Sequence, residues 1–345
     1  MKRPPKKHRA LKVTGIVLSI LLALGAGSYF YVTTQPQIVV GMIQKGIYGD
    51  SSPNSFEPLN TPGEGVTAIG QYKLNDIAYG TEYPNSFLDI TYPDSNTEID
   101  RPTLFYFHGG GFFCGSKNMG DPMAANEATA LLDDLCAQGY NLVNVDYALV
   151  PDHHFPVPLV QMNDAIRFIA EHQDAYHINM NNIILMGSSA GAIMTAQYGT
   201  VLSNPAYAAL LGIEPALNPE QVSAVVIDDA PIDYRNMVLG CKMLVGNYVK
   251  GSIYLNEDEL NRYECIPHMT SDYPAEFLLG SEYRNDMIAM AEKLNGVAVE
   301  HILVDPLAEH GEEKPHCFVA NERIDPVATE AFNRLTEFLN EKTKG

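Results

Sequence analysis

The chain has 345 residues, 46% hydrophobic and 19% charged, with a formal net charge of −20. That is enough for one large domain with its own core and too little for two large α/β domains. So acidic a chain, with no basic stripe beyond its N-terminus, excludes nucleic acid as a partner.

The first 32 residues differ in kind from the rest. Lys2, Arg3, Lys6, Lys7, Arg9 and Lys12 form a cationic stretch without an acid, and residues 13–32 are uncharged throughout. Twenty such residues match the apolar core of a bilayer as a helix. Cations before the span place the N-terminus in the cytoplasm and the body outside. A cleavable signal peptide is the rival reading, with Gly25-Ala26-Gly27 as small residues near a cleavage site. The run continues through Tyr29-Phe30-Tyr31-Val32, however, which suits an aromatic-edged anchor better. No Cys near its end invites lipidation. Beyond residue 32, 42 acids stand against 16 Lys and Arg, so the body carries −26 and should repel polyanionic substrates.

Residues 33 to about 75 are rich in Gly, Pro, Ser and Asn and lack sustained periodicity, which predicts a tether and an irregular N-terminal lid. From residue 87 onward apolar strands alternate with helices. Strands are expected at 87–92, 103–107, 141–146, 183–187, 223–228, 275–280 and 299–304. Helices are expected at 123–138, 158–172, 190–203, 286–295 and 327–342. Long helical crossovers between strands imply a mostly parallel sheet covered on both faces, with chemistry beyond the carboxyl ends of the strands. Between Asp233 and Tyr273 the alternation breaks. An insertion of that length in an α/β domain reads as a cap, with Met237, Met243, Tyr248, Tyr254 and Tyr263 packing it and in part lining an acyl pocket. The expected layout is a cytoplasmic segment 1–12, a transmembrane signal-anchor 13–32, a tether and lid 33–75, and an α/β domain 76–345 with a cap at about 233–273. Cys114, Cys136, Cys241, Cys265 and Cys317 show no metal-ligand spacing. Cys241 and Cys265 fall in one segment where a bridge is open, but buried thiols are the default.

Two glycine motifs carry the chemistry. Gly187-Ser188-Ser189-Ala190-Gly191 follows the apolar run Ile183–Met186 and precedes a helix start. A tight strand-to-helix turn needs small neighbours and leaves a hydroxyl projecting at the strand's carboxyl end. Only Ser189 has a glycine at both flanking positions, so Ser189 rather than Ser188 is the candidate nucleophile. Upstream, His108-Gly109-Gly110-Gly111 follows the strand-like run 103–107, and consecutive glycines let backbone N–H groups approach a substrate oxygen. A hydroxyl nucleophile needs a base, and the base an orienting acid. Three histidines follow the nucleophile near the last strand. His301 lies within that strand, His310 reads as a solvated loop residue among Glu309, Glu312 and Glu313, and His316 sits in the loop before the final helix. His316 is the expected base.

These motifs, in this order, resemble the hormone-sensitive-lipase-like branch of the α/β-hydrolases, a group of carboxylesterases and acylhydrolases, over roughly residues 75 to 342. His108-Gly109-Gly110-Gly111-Phe112 resembles the family's oxyanion motif, and Gly187 to Gly191 its nucleophile elbow. Tyr147-Ala148-Leu149-Val150-Pro151-Asp152 with Phe155-Pro156 is similar to its Y-R-L-A-P-E…F-P stretch, with Ala148 in place of Arg. Pro315-His316-Cys317-Phe318 resembles its H-x-F. The resemblance implies an α/β-hydrolase fold and oxyanion donors at the N–H groups of Gly110, Gly111 and Ala190. It also implies a reaction with neither metal nor organic cofactor.

The acid departs from the family pattern. The family carries an Asp just after the seventh strand, but here Phe277-Leu278-Leu279-Gly280 runs into Ser281-Glu282-Tyr283-Arg284-Asn285-Asp286, and about three residues are missing before the helix. Glu282 is nearer the expected place; Asp286 is the stiffer carboxylate but also suits the start of a helix. The expectation is Glu282 or Asp286, with an impaired triad as the third option. The sequence thus points to a membrane-anchored serine carboxylesterase acting on a small-molecule ester. The alternatives are an amidase, deacetylase or peptidase on the same residues, and a non-catalytic binding protein that lost its acid. Oligomeric state is not legible.

Overall fold

The apolar runs of the sequence become the strands of one nine-stranded sheet. A computed structural model describes residues 25–58, 63–118 and 128–343. The strands are β1 (Gly63–Val66), β2 (Tyr72–Ala78), β3 (Phe87–Tyr92), β4 (Thr103–Phe107), β5 (Asn141–Val145), β6 (Ile183–Ser188), β7 (Val222–Asp228), β8 (Glu276–Leu279) and β9 (His301–Val304). Their order is β1-β2-β3-β5-β4-β6-β7-β8-β9. From β5 to β9 every neighbouring pair is parallel, while β1, β2 and β3 form an antiparallel edge.

The central strands read as unbroken apolar runs because both faces are covered. Alternate residues of one strand enter two cores. Phe105, Leu185 and Val225 join Leu159, Met162 and Met194 on one face. Leu104, Ile184 and Val226 join Leu131, Leu135, Leu335 and Phe338 on the other. The first core is roofed by helices Val157–Glu171 and Ala190–Ser203, the second by Ala128–Ala137 and Pro326–Thr343. The expected strands and helices from residue 128 onward appear with ends shifted by a residue or two, and residues 123–127 of the helix expected at 123–138 lie outside the described residues.

The segment 33–75 is more ordered than its composition suggests. It holds the helix Gln37–Tyr48, strand β1 and the start of β2. The helix escapes notice because it starts after Pro36 without a side-chain cap and carries two glycines. The strands escape because an edge pair is only half-buried and shows no clean alternation.

Of the expected span 13–32, residues 13–24 lie outside the described residues; 25–32 belong to a helix over 25–34. Among the described residues no helix is long and apolar enough to cross a membrane. The insertion at 233–273 holds helices Leu239–Lys250 and Glu257–Tyr263 with single 3-10 turns at Tyr234–Asn236 and Ile266–His268, and its buried residues, Tyr248 and Tyr263 among them, belong to the first core. All five cysteines are buried thiols, so Cys241 and Cys265 are not bridged.

Candidate active site

Ser189 stands at the junction of β6 and the helix Ala190–Ser203, with φ 54° and ψ −116°. A non-glycine residue in that region carries about 1–3 kcal/mol of backbone strain, which surrounding structure must hold. The flanking glycines are a steric requirement. A Cβ at Gly191 would run into the carbonyl groups of Phe107 and His108, and one at Gly187 into the backbone of Gly191. The elbow thus packs directly against the turn that follows β4. Ser188, by contrast, is buried inside the sheet, where its hydroxyl bonds to Asp228 (2.8 Å) and Tyr106 (3.1 Å).

Within that neighbouring turn Gly110 and Gly111 have φ 99° and 58°, and Phe112 follows at 63°. A side chain at Gly110 would collide with the Cys114 carbonyl. Ala190 is the first residue of its helix, so its N–H is one of those with no intrahelical acceptor. Ala190 thus follows Ser189 directly, and Gly110 and Gly111 lie in the turn whose first residues, Phe107 and His108, pack against Gly191.

The turn is held from behind. Tyr147 donates to the His108 carbonyl (2.6 Å), and its ring lies flat on the His108 imidazole, centroids 4.2 Å apart. Val150 N–H donates to the Phe112 carbonyl (3.0 Å), and Phe112 stacks on Tyr248 of the cap. The Tyr147–Pro156 stretch is thus scaffolding for the glycine turn. Ala148, the residue that departs from the family pattern, is fully buried and donates its N–H to Gln161 (2.7 Å). Burial, partly offset by the Gly109 carbonyl, lowers the His108 imidazole to about 4, so it is neutral at neutral pH.

Beneath the turn lies a sealed ionic cluster. The fully buried Lys117 ammonium bonds Asp76 (2.6 Å) and lies 3.2 Å from Asp89 and 3.9 Å from Asp146. Asp146 also accepts the Lys117 backbone N–H (2.6 Å). Burial works against the Lys117 charge, but Asp146, Asp89 and Asp76 raise its pKa above the usual lysine range.

The candidate base is where the sequence placed it; the acid is not. His316 Nδ1 donates to Asp229 Oδ2 at 2.6 Å. Asp229 sits immediately after β7, with φ 54° and no exposed surface. It also accepts from the Ser281 N–H (2.9 Å) and hydroxyl (2.7 Å), the Glu282 N–H (3.1 Å) and the Tyr283 N–H (2.9 Å). Burial disfavours its charge. The His316 bond and field and the Ser281 donors outweigh that and hold the carboxyl below its ordinary range. Next to it, the Asp228 carbonyl accepts from Ser189 N–H (2.9 Å) and the Cys317 thiol (3.7 Å). The dipeptide Asp228-Asp229 thus joins the nucleophile's turn to the histidine loop.

Neither expected acid holds that position. Glu282 is exposed and its carboxylate stops 3.8 Å from His316 Nδ1. Asp286 faces the cap, accepting from the N–H groups of Ile232 (2.8 Å) and Asp233 (2.7 Å). The shortened loop after β8 explains the correction. Residues 281–283 fold back to offer backbone donors to the carboxylate that follows β7. A signal was present in the sequence: Asp228-Asp229-Ala230-Pro231 ends a buried apolar run on the same edge of the sheet as Ser189 and His316. Asp229 gives His316 a buried acid partner. The other histidines lie apart: His301 bonds the Val299 carbonyl (3.0 Å), and His310 faces Glu330 at 3.7 Å.

A cavity of about 800 Å³ opens beside His316, walled by Met237, Val238 and Cys241 of the cap, by Tyr283, and by the charged rim Glu282, Glu312 and Glu313.

A strand-elbow serine, a glycine turn and a histidine–aspartate pair on the carboxyl edge of a parallel sheet define an α/β-hydrolase of the serine esterase class. A family profile, BD-FAE, matches residues 88–291, and the chain belongs to that family. Esterase LipI of Mycobacterium tuberculosis is 27% identical over 253 residues, 70% of this chain and 73% of that protein. An acetyl esterase of Salmonella paratyphi B is 28% identical over 109 residues, which span 30% of this chain and 32% of that one. Among solved structures, esterase B from Lactobacillus Rhamnosis superposes with a TM-score of 0.67 at 16% identity, covering 94% of this chain and 96% of that chain.

Proposed function

We propose that this chain hydrolyses carboxylic esters through an acyl-enzyme formed on Ser189. The observation that carries this reading is the 2.6 Å bond between His316 and the buried Asp229, next to the residue whose carbonyl holds the Ser189 N–H. In this mechanism the Ser189 hydroxyl attacks the ester carbonyl while His316 Nε2 takes its proton. Asp229 fixes the imidazole with Nδ1 protonated and stabilises the imidazolium. The N–H groups of Gly110, Gly111 and Ala190 receive the oxyanion. His316 then protonates the departing alcohol, and a water activated the same way releases the acid. The chemistry asks for no metal or organic cofactor. Esters without anionic groups fit best, given the acidic rim beside His316 and a body charge of −26.

We further propose that residues 13–32 anchor the protein as a single membrane helix with the catalytic body outside. The support is the charge asymmetry and length of that segment.

Two experiments test the catalytic reading. A fluorophosphonate probe should label the wild-type chain and not Ser189→Ala, while Ser188→Ala keeps measurable labelling. In a panel of p-nitrophenyl esters and the matching anilides, turnover should be confined to the esters. Labelling that survives Ser189→Ala, or faster anilide cleavage, contradicts it.

A further inference from the structure

The first acidic residue of the chain is Asp50. The 49 residues before it hold seven Lys and Arg and no acid, whereas the stretch from Asp50 onward holds all 42 acids. The helix Gln37–Tyr48 lies wholly inside this acid-free segment and has two faces. One is bound to the body. Val40 is in the core, and Gln44 Nε2 donates to the carbonyls of Phe113 (3.0 Å) and Val150 (2.7 Å), both beside the glycine turn. Met42 and Ile43, exposed by 71% and 41%, point away from that docked side, while Ile47, seven residues after Val40, is 46% exposed at the end of the helix. The helix over 25–34 that leads into it presents Tyr29, Phe30 and Tyr31, each more than half exposed. Thr33 fastens its end to the cap: its carbonyl accepts from Ile253 N–H (3.1 Å), and its hydroxyl meets Tyr254 (3.2 Å).

We propose that the helix Gln37–Tyr48 is seated in the lipid–water interface, with Met42 and Ile43 among the acyl chains, Ile47 at the exposed end of the helix entering beside them, and Gln44 holding the glycine turn. The seating puts Gly110 and Gly111 on the membrane side of the body and selects amphiphilic esters that partition into the bilayer. It deepens the esterase reading and rests on anchoring by residues 13–32. Three features argue for lipid as the occupant. Four residues separate Val32 from Gln37, a reach of about 14 Å at most, so a helix that starts there begins at headgroup depth. Its only charge is Lys45, a cation that suits an anionic leaflet. Aromatic side chains at 29–31 match the belt at a membrane boundary, and an apolar helical stripe beyond it matches an interfacial helix.

The test uses the full chain in phosphatidylcholine–phosphatidylglycerol vesicles. Met42→Cys, Ile47→Cys and, as a control on the 89% exposed Ile324, Ile324→Cys are each labelled with a polarity-sensitive fluorophore. The native thiols are all buried, so labelling is selective. Labels at 42 and 47 should shift to the blue and be quenched by lipids carrying a spin label on the acyl chain, and the label at 324 should not. If the chain stays on the vesicles through a high-salt wash while labels 42 and 47 remain in water, the seating is wrong although the anchor stands. If the chain washes off, the anchor is wrong and the seating falls with it. A second readout is activity. Ile43→Asp/Ile47→Asp should lose tenfold or more on an ester embedded in the vesicles and keep its rate on p-nitrophenyl acetate. An equal loss on both substrates, or none on either, overturns the substrate selection.

Discussion

Two places in this molecule set a basic nitrogen against buried carboxylate, and they serve opposite ends. At the edge of the sheet, His316 meets Asp229 through Nδ1, with its Nε2 3.6 Å from the Cys317 sulfur and a cavity beside it. Under the glycine turn, Lys117 meets Asp76, Asp89 and Asp146 with no exposed side-chain surface. In the first pair a proton is meant to move, so the base is an imidazole and the acid is locked by four further donors from residues 281–283. In the second the charge is meant to stay, so the base is an ammonium whose carboxylate partners keep it protonated. In the proposed reaction the first pair moves the proton, and the second packs beside the glycine turn, where Asp146 also lies 3.7 Å from His108. Access to solvent and the choice of base, more than the presence of paired charges, separate a reactive site from a structural one.

Breaking the sealed cluster should have the largest effect on folding. Lys117→Met removes the ammonium from Asp76 and Asp146 and leaves Asp89 with Lys73 alone, and should cost about 3–5 kcal/mol of stability, read from urea unfolding. Any folded fraction should show lowered kcat with unchanged fluorophosphonate stoichiometry, since Ser189 itself is untouched. A variant of wild-type stability would mean that the cluster is not what holds the turn.

Next in size is Asp286. Asp286→Ala strands the N–H groups of Ile232 and Asp233 and should cost about 1–3 kcal/mol. Its kcat on p-nitrophenyl acetate should stay within a few-fold of wild type. A large loss of kcat at full stability would return Asp286 to the catalytic set.

The smallest effect belongs to Asp228, between the two regions. Burial, partly offset by the Ser188 hydroxyl, raises its carboxyl from 3.8 to about 7, with the Asp229 charge adding to the rise. Between those values the folded chain binds more protons than the unfolded one, so this group's contribution to stability falls as pH rises. Asp228→Asn removes that dependence. Relative to wild type, the variant should gain about 1 kcal/mol or more between pH 5 and pH 8 in paired urea titrations. A difference that is flat with pH contradicts the raised value.

Much of this was legible in the chain, and the reasons differ by element. Buried strands are apolar runs, so β3 to β9 stood out. The serine elbow and the glycine turn were legible because sterics leave few residue choices there, as the collisions at Gly191 and Gly110 make plain. The helix Gln37–Tyr48 and strands β1 and β2 were not, because their stability comes from docking against the body rather than from caps or periodicity. The acid was misplaced for a topological reason. Three strands end at the same edge of the sheet, and a carboxylate after β7 reaches the same histidine as one after β8. Loop length decides between them, and nothing local to Glu282 or Asp286 reports how residues 281–283 fold back on Asp229.

The central claim is that Asp229 orients His316. Its most direct test is kcat for hydrolysis of p-nitrophenyl acetate by Asp229→Asn and Glu282→Gln, each compared with wild type under identical conditions. With Asp229 as the acid, Asp229→Asn should fall by about 10⁴-fold, the loss seen when a triad aspartate becomes an amide in a serine protease. Glu282→Gln, exposed and 3.8 Å from the imidazole, should stay within a few-fold of wild type. A crippled Glu282→Gln beside an active Asp229→Asn would contradict the assignment.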